Sequence, residues 1–287
     1  MTLVIAGHTL QAMFDEESNF VEGLFAASDT AITSGGTILV SGFKKVVEIP
    51  VRVKAPVFCD EWLNGYMGYH YEGGCFVAFA GSTLVAQHMM NSISNHLGEL
   101  YPTYENGEYK IAMPCEKNKH LQQGYYDKSM FLDRHLDALL SAEKLSDIVQ
   151  HSIQSVLERA KKHDGMKKNF SAFCAEFIFG VQCPNSTRFH LYQYEIISDD
   201  NDGAIAEKSE VPQGKVAVIG LKDSYAKEAN SDFERAVKSG KNTANEMHRF
   251  VARAIESKNE IGVFSIGKPC VLYKYKGKHV EQEKYIY

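Results

Sequence analysis

A threonine is the first residue of this chain whose side chain could act as a nucleophile. Thr2 follows Met1 and precedes a short apolar run, Leu-Val-Ile-Ala at 3–6. If Met1 is removed, Thr2 carries both a hydroxyl and a free α-amine, and the amine can take the hydroxyl proton directly or through a water. Many chains begin Met-Thr, so the alternative is a frayed or strand-forming terminus without chemistry.

Residue spacing does not favour other kinds of site. The histidines include no His-Glu-x-x-His motif and form no Cys/His cluster along the sequence, so we expect no metal. There is no Gly-x-Ser-x-Gly elbow and no glycine-rich phosphate loop, so we expect no cofactor. The six cysteines are scattered and form no Cys-x-x-Cys pair, which favours reduced thiols in a cytoplasmic protein.

The composition is that of a globular protein. The 287 residues carry a net charge of −5 without a large basic block, so we expect no nucleic acid partner. No apolar run is long enough to cross a bilayer, and the start of the chain lacks a signal-peptide pattern, which predicts a cytoplasmic protein with no membrane partner. Because there is no internal repeat and no Pro/Ser linker, we expect a single domain over 1–287.

Hydrophobic periodicity predicts strands, then helices, twice over. Alternating or continuous apolar runs predict strands at 3–8, 24–32, 37–40, 45–49, 75–80, 171–182, 188–196, 216–220, 261–266 and 270–275. Stripes at helical spacing predict helices after Ser82, over about 132–157, and from two capping boxes, Ser231 with Glu234 and Thr243 with Glu246. Residues 50–73, rich in Pro, Gly and aromatics, and the polar residues 99–128 are predicted as loop excursions. The order lacks β-α alternation, and it predicts two sheets packed face to face with a helix pair over each.

Four short motifs carry a resemblance to a known family. They are Phe-Ala-Ala-Ser-Asp at 25–29, Gly-Phe-Lys-Lys-Val at 42–46, Phe-Ala-Gly-Ser at 79–82, and Ile-Gly at 219–220 with Tyr-Ala at 225–226. With Thr2 in front of them, their order resembles the proteasome β-subunit family of N-terminal nucleophile hydrolases. In style the chain looks closest to the bacterial HslV peptidase and the ancestral-β-subunit group.

The resemblance implies a fold and four roles. The fold is α+β, a four-layer αββα sandwich of two antiparallel sheets flanked by helix pairs. Thr2 would be the nucleophile, Lys45 would lower the pKa of its amine, Asp29 would pair with Lys45, and the Gly81 N–H would be the oxyanion donor. Without the resemblance, Asp29 is a strand-end turn residue, Lys45 is half of an exposed lysine pair, and Gly81 only starts a helix.

The sequence also departs from the family pattern. Leu221 stands where the family has a supporting serine, and Ser224 is close by but out of register. The second aspartate and serine of the family have no clear match, with Asn259 as the nearest candidate for the aspartate. The three excursions at 10–22, 50–73 and 99–128 are longer than compact bacterial members need.

These observations predict a threonine-type endopeptidase acting on peptides or unfolded proteins. The resemblance implies a homo-oligomeric ring and an ATP-dependent unfoldase as partner. Two alternatives stay open: a catalytically silent ring subunit, which Leu221 favours, and an N-terminal nucleophile hydrolase acting on a small amide.

Overall fold

Antiparallel strands are the most abundant elements of this computed structural model, which describes residues 1–12, 19–34, 36–105, 108–116, 121, 124–127, 137–165, 169–199 and 203–286. The strands are β1 (Leu3–Ala12), β2 (Asn19–Ser28), β3 (Ile32–Ser34), β4 (Thr37–Val40), β5 (Val46–Cys59), β6 (Trp62–Gly81), β7 (Tyr101–Glu105), β8 (Glu108–Ala112), β9 (Gly124–Tyr125), β10 (Ala175–Gln182), β11 (Phe189–Asp199), β12 (Gly203–Glu210), β13 (Val216–Gly220), β14 (Cys270–Tyr275) and β15 (Val280–Ile286). The α-helices are α1 (Thr83–Gly98), α2 (Ala142–Lys161), α3 (Lys222–Lys238) and α4 (Thr243–Glu260), with a 3₁₀ turn at Phe170–Ala172.

Two sheets carry the core. The first has the order β13-β1-β2-β14-β15, and the second has the order β12-β11-β10-β6-β5, with β9 added to β6. Every pairing between these strands is antiparallel. The hairpins β3-β4 and β7-β8 stand apart as two-stranded sheets.

Alternation along β1 shows how the buried faces are used. Leu3 and Ile5 lie in an apolar cluster with residues of α3 and α4. Val4 and Ala6 point the other way, into a cluster that contains Phe76 of the second sheet. Helices α1 and α2 share a further cluster with the opposite face of the second sheet. The start of β1 therefore lies where side chains of both sheets meet.

The predicted fold class is wrong. The structure is mostly antiparallel sheet, with 45% strand, 31% helix and a curled half-barrel, rather than a four-layer αββα sandwich. The main physical cause is the β5-β6 hairpin, in which β6 alone has 20 residues. Strands twist as they extend, so a hairpin of this length curls instead of lying in one flat layer.

The predicted loop at 50–73 is this hairpin. Pro50 and Pro56 argued against a strand, because proline cannot donate to the ladder. They are tolerated because β5 is the edge strand of its sheet and its register shifts at three places between Val53 and Phe58. The second predicted excursion, 99–128, contains β7, β8 and β9 in its described part, while 106–107, 117–120, 122–123 and 128 lie outside the described residues.

Helix starts were predicted less well than strands. The capping box at Ser231 is wrong, because Ser231 lies inside α3, which begins after Leu221 without a side-chain cap. Helix α4 begins at Thr243, as predicted, but its N-cap is Asn242, whose side chain accepts from the Asn245 N–H at 3.0 Å. Residues 132–136 of the predicted helix lie outside the described residues. The predicted strand at 261–266 is wrong, because a turn at 261–262 is followed by irregular chain and a bend. Among the described residues, no helix has the length and apolarity needed to span a membrane.

Candidate functional site

A buried ion pair lies at the end of the two sheets where β1 begins. Asp29 directly follows β2, and Lys45 directly precedes β5. The Lys45 Nζ donates to Asp29 Oδ1 at 2.7 Å, and the two side chains are only 3% and 0% exposed. A buried charge needs a partner of opposite sign or hydrogen bonds, and this pair has both.

Backbone donors complete the surroundings of the Asp29 carboxylate. Oδ1 also accepts from the Leu3 N–H at 2.9 Å. Oδ2 accepts from the N–H groups of Ala31 at 3.1 Å and Gly267 at 3.3 Å. Four donors therefore hold the carboxylate in one orientation, and one of them belongs to the residue that follows Thr2.

The electrostatics of Lys45 reflect its burial. Desolvation lowers the pKa of the Lys45 ammonium, and the nearby Asp29 carboxylate opposes that shift by attraction and by its hydrogen bond. The Met1 amine responds to the same charges. Its pKa is lowered by burial first and by the Lys45 cation second, with Asp29 acting in the opposite direction. Lys45 is thus close enough to influence an amine at the start of the chain.

Thr2 borders the same cavity as Lys45. Its side chain is buried, at 9% exposure, and its carbonyl accepts from the Leu221 N–H at 2.9 Å. The cavity has a volume of about 70 Å³, and Thr2, Lys45 and Gly81 are among its lining residues. The alternation along β1 explains this position, because Thr2 falls on the side of Val4, which faces the second sheet.

Gly81 ends β6 in a conformation that favours glycine. Its φ is +104°, and a Cβ placed there would lie 2.4 Å from the carbonyl oxygen of Cys174, the residue before β10. Lys45 is tied to β6 as well, since its carbonyl accepts from the Phe79 N–H at 3.1 Å. The structure therefore brings all four predicted residues, Thr2, Asp29, Lys45 and Gly81, to one place.

The region of the fourth motif lies beside them with different chemistry. Gly220 pairs with Leu3 and has a φ of +85°. A Cβ there would lie 1.9 Å from the Thr2 carbonyl oxygen, so the position favours glycine. Leu221 supplies only its backbone N–H to this contact. Asn259 lies near the end of α4, its buried Oδ1 has no hydrogen-bond partner within the described residues, and it is not among the described residues that line the cavity.

Sequence reasoning missed an ionic cluster next to the cavity. Glu176 Oε2 accepts from the Gly220 N–H at 2.6 Å, and Glu176 pairs across the sheet with Ala80. The Lys222 Nζ contacts Glu176 at 3.5 Å and Glu195 at 2.6 Å. Burial raises the pKa of Glu176, with Gly220 and Lys222 opposing it. The indication of this cluster in the sequence is Glu176, the single charged residue in the apolar run at 175–181.

A second group of residues could hold a metal, contrary to the expectation from spacing. One ligand atom from each of His96, Cys115 and His151 lies within 4.8 Å of the others. These residues come from α1, from the turn after β8 and from α2, so their distance along the chain hid them. They are far in sequence from the four residues around Thr2 and line a different cavity.

Comparisons with known proteins identify structures with a similar fold. Anbu from Hyphomicrobium sp. strain MC1 aligns with a TM-score of 0.53 and 17% identity, covering 99% of this chain and 87% of that chain. A Gly-1 mutant of the same protein gives 0.52 and 16%, covering 100% and 87%. Anbu, the ancestral beta-subunit, from Yersinia bercovieri gives 0.51 and 14%, covering 98% and 86%. No protein-family model and no curated protein matches this sequence.

The family assignment made from the four motifs is wrong as it stood. The assignment placed the chain in the proteasome β-subunit family, in style close to HslV or the ancestral-β-subunit group, whereas these neighbours are Anbu (ancestral beta-subunit), a family similar to HslV and the proteasome but distinct from them. At this level of identity, the likeness concerns the fold and not the activity. The chain shares its fold with these Anbu structures.

Proposed function

We propose that this protein is a threonine-type peptidase in which removal of Met1 exposes Thr2 as the nucleophile. The observation that carries the proposal is the buried Lys45–Asp29 pair beside Thr2, with its 2.7 Å contact. A lysine and an aspartate buried together are costly to maintain, so their position next to a hydroxyl at the start of β1 favours a catalytic role over a purely structural one.

The proposed chemistry starts with the Thr2 hydroxyl. Its Oγ attacks the carbonyl carbon of a peptide bond while the Thr2 α-amine takes its proton. The amine must be neutral to do so. In the intact chain, burial first and the Lys45 cation second lower the pKa of the Met1 amine, and in the proposed mechanism they do the same for the Thr2 amine. Asp29 is a positioning residue that holds Lys45 in place.

The attack gives a tetrahedral intermediate, which breaks down to an ester on Thr2, and the ester is then hydrolysed. The Gly81 N–H stabilises the oxyanion, and loss of one such donor typically costs about 3–4 kcal/mol of transition-state stabilisation. The C–N bond then breaks, and the leaving amine takes the proton from the Thr2 amine. Water then attacks the carbonyl carbon of the ester on Thr2 and gives a proton to the Thr2 amine; the C–Oγ bond breaks, the amine returns that proton to Oγ, and the carboxylic acid product leaves.

The proposal includes an assembly. Peptides or unfolded proteins are the substrates, a homo-oligomeric ring encloses the sites, and an ATP-dependent unfoldase delivers substrate in the cytoplasm. The fold shared with Anbu supports a proteasome-related arrangement. Light scattering on the purified chain tests the ring, because a monomer would remove it from the proposal.

Peptide hydrolysis tests the chemistry. We expect Thr2→Ala to lower the cleavage rate of fluorogenic peptides at least about 10³-fold, because the nucleophile is lost, while Thr2→Ser keeps part of the activity. Small amides assayed in parallel address the alternative substrate class. Unchanged peptide cleavage in Thr2→Ala would remove the mechanism.

A catalytically silent subunit is the second candidate, and Leu221 favours it. The only hydrogen bond that Leu221 offers Thr2 is from its backbone, at 2.9 Å, whereas a serine hydroxyl would add a proton donor and acceptor. Intact-mass measurement separates the two candidates. Retention of Met1 blocks the Thr2 amine and favours the silent subunit, and its removal favours the peptidase.

A further inference from the structure

Three residues that bind metals in many proteins converge at the rim of the larger cavity between α1 and α2. His96 lies on α1, His151 lies on α2, and Cys115 lies in the turn after β8. The two imidazole rings have centroids 5.6 Å apart, and Cys115 Sγ lies 3.6 Å from His151 Nε2. All three line a cavity of about 650 Å³.

The hydrogen bonds of Ser152 fix which nitrogen of His96 carries a proton. The Ser152 hydroxyl donates its only hydrogen to the Ile148 carbonyl at 2.6 Å. It must therefore accept at its 2.8 Å contact with His96 Nδ1, which makes Nδ1 the N–H donor. In the neutral ring, the lone pair is then on Nε2 and can bind a metal. Histidines that bind metals commonly use their other ring nitrogen, as His96 uses Nδ1 here, to donate to a partner that orients the ring.

The spacing of the second histidine and the cysteine matches a metal centre. Zinc binds histidine nitrogen at about 2.0–2.1 Å and cysteine sulfur at about 2.3 Å in a tetrahedral arrangement, so the N and S ligands lie roughly 3.5 Å apart. The 3.6 Å between Cys115 Sγ and His151 Nε2 agrees with this value. Without a metal, this contact holds a proton carried either by the Cys115 thiol or by His151 Nε2. A metal ion replaces that proton, which leaves to the solvent.

The charges around the three ligands are mixed. Glu158 and Arg159 both line the cavity, and Glu116 lies close enough to affect His96. Arg159 is engaged with α2, because its Nε donates to the Ser155 carbonyl at 3.0 Å. The carboxylates of Glu116 and Glu158 are hydrogen-bonded as well, and their two negative charges exceed the single positive charge of Arg159, which favours a bound cation.

We infer that His96, Cys115 and His151 form a binding site for a divalent transition metal of the zinc type. Two imidazoles and one thiolate select such metals over Ca²⁺ and Mg²⁺, which prefer oxygen. Three protein ligands leave the fourth tetrahedral position to water from the cavity, as in metal sites that exchange a ligand. The metal also joins α1, α2 and the turn after β8. This inference does not depend on the role of Thr2.

Metal titration of the untagged full-length chain tests the site. We expect one Zn²⁺ per chain by calorimetry, with close to one proton released from Cys115, measured in buffers of different ionisation enthalpy. Co²⁺ should give a thiolate-to-metal charge-transfer band. Cys115→Ser should abolish that band, and His151→Gln should weaken Zn²⁺ binding at least about 10²-fold. Ser152→Ala should weaken it about 10- to 100-fold, because the His96 ring loses its orienting partner.

Matched controls keep the result interpretable. His88→Gln changes a histidine that lines the same cavity outside the cluster, and Cys59→Ser changes an exposed cysteine elsewhere, so both should bind Zn²⁺ like wild type. The melting temperature of each variant in chelator shows whether the variant folds. Zn²⁺ should raise the melting temperature of Cys59→Ser as it does that of the wild type, but it should not raise that of Cys115→Ser. Equal affinity in wild type, Cys115→Ser and His151→Gln, or no stoichiometric Zn²⁺ binding, would overturn the inference.

Discussion

Replacement of Lys45 by methionine tests how much the buried ion pair contributes to stability, compared with the loss of an exposed lysine charge. Methionine keeps most of the side-chain length and volume but removes the charge. It leaves the Asp29 carboxylate in a buried position with three backbone donors, from Leu3, Ala31 and Gly267, instead of four donors. Lys44 is the matched control, since it is the neighbouring lysine and its side chain is exposed.

The size of the effect follows from these contacts. Breaking a buried pair by removal of one partner typically costs about 3–5 kcal/mol, because a charge stays buried without its partner. The three remaining N–H donors still stabilise the carboxylate, so we expect Lys45→Met to lower the free energy of unfolding by about 3 kcal/mol, near the low end. Asp29→Asn loses more, because an NH₂ group replaces one of two accepting oxygens, and we expect about 4–5 kcal/mol.

Urea unfolding at neutral pH measures both variants. Lys44→Met should change the free energy of unfolding by less than about 0.5 kcal/mol, as surface substitutions usually do. The double variant Lys45→Met/Asp29→Asn should lose less than the sum of the single losses, because the two residues contact each other. If Lys45→Met is as stable as Lys44→Met, or if the two losses add fully, the pair does not stabilise the site as argued.

Three further predictions concern residues around the two sheets. Gly81→Ala should lower the free energy of unfolding in urea by about 2–3 kcal/mol, because the φ of Gly81 is positive and a neighbouring carbonyl leaves no room for a Cβ. Gly98→Ala is the control: Gly98 has open space around it, so the free energy of unfolding should rise by up to about 1 kcal/mol. The pKa of Glu176 is raised above its ordinary 4.5. The free energy of unfolding of the wild type should therefore fall relative to that of Glu176→Gln as the pH rises from 4.5 through the raised pKa. Unfolding measured at a series of pH values contradicts this if the difference between the two proteins stays constant. Tyr275→Phe should lower the free energy of unfolding by about 1–3 kcal/mol in thermal unfolding, because the substitution removes the hydroxyl that accepts from the Gln182 N–H at 3.2 Å. An unchanged free energy of unfolding would show that water replaces the hydroxyl.

Local patterns predicted most strands of the two sheets. The runs at 3–8 and 216–220 lie in strands, and those at 171–182 and 188–196 contain the strands β10, from Ala175, and β11, from Phe189, because alternation reports directly which side chains are buried. The β5-β6 hairpin was missed for a tertiary reason. Prolines and glycines read locally as a loop, and only the edge position of β5 and its register shifts make a strand possible there.

The two candidate sites show what spacing along a chain can and cannot predict. Asp29 and Lys45 were predicted from short motifs at strand ends, but β2 and β5 belong to different sheets, so the contact itself comes from the packing of the two sheets. His96 and His151 lie on separate helices, and Cys115 lies in a turn between them. Their approach depends on the packing of α1 on α2, which no local pattern contains.

The reactivity of Thr2 tests the central claim most directly. The purified chain is incubated with a β-lactone or epoxyketone probe, and the intact mass and the N-terminal peptide are measured for wild type and Thr2→Ala. We predict a chain that begins at Thr2 and carries one probe molecule on that residue, with no adduct in Thr2→Ala. A chain that keeps Met1, or an adduct of equal yield in both proteins, would contradict a threonine nucleophile at this site.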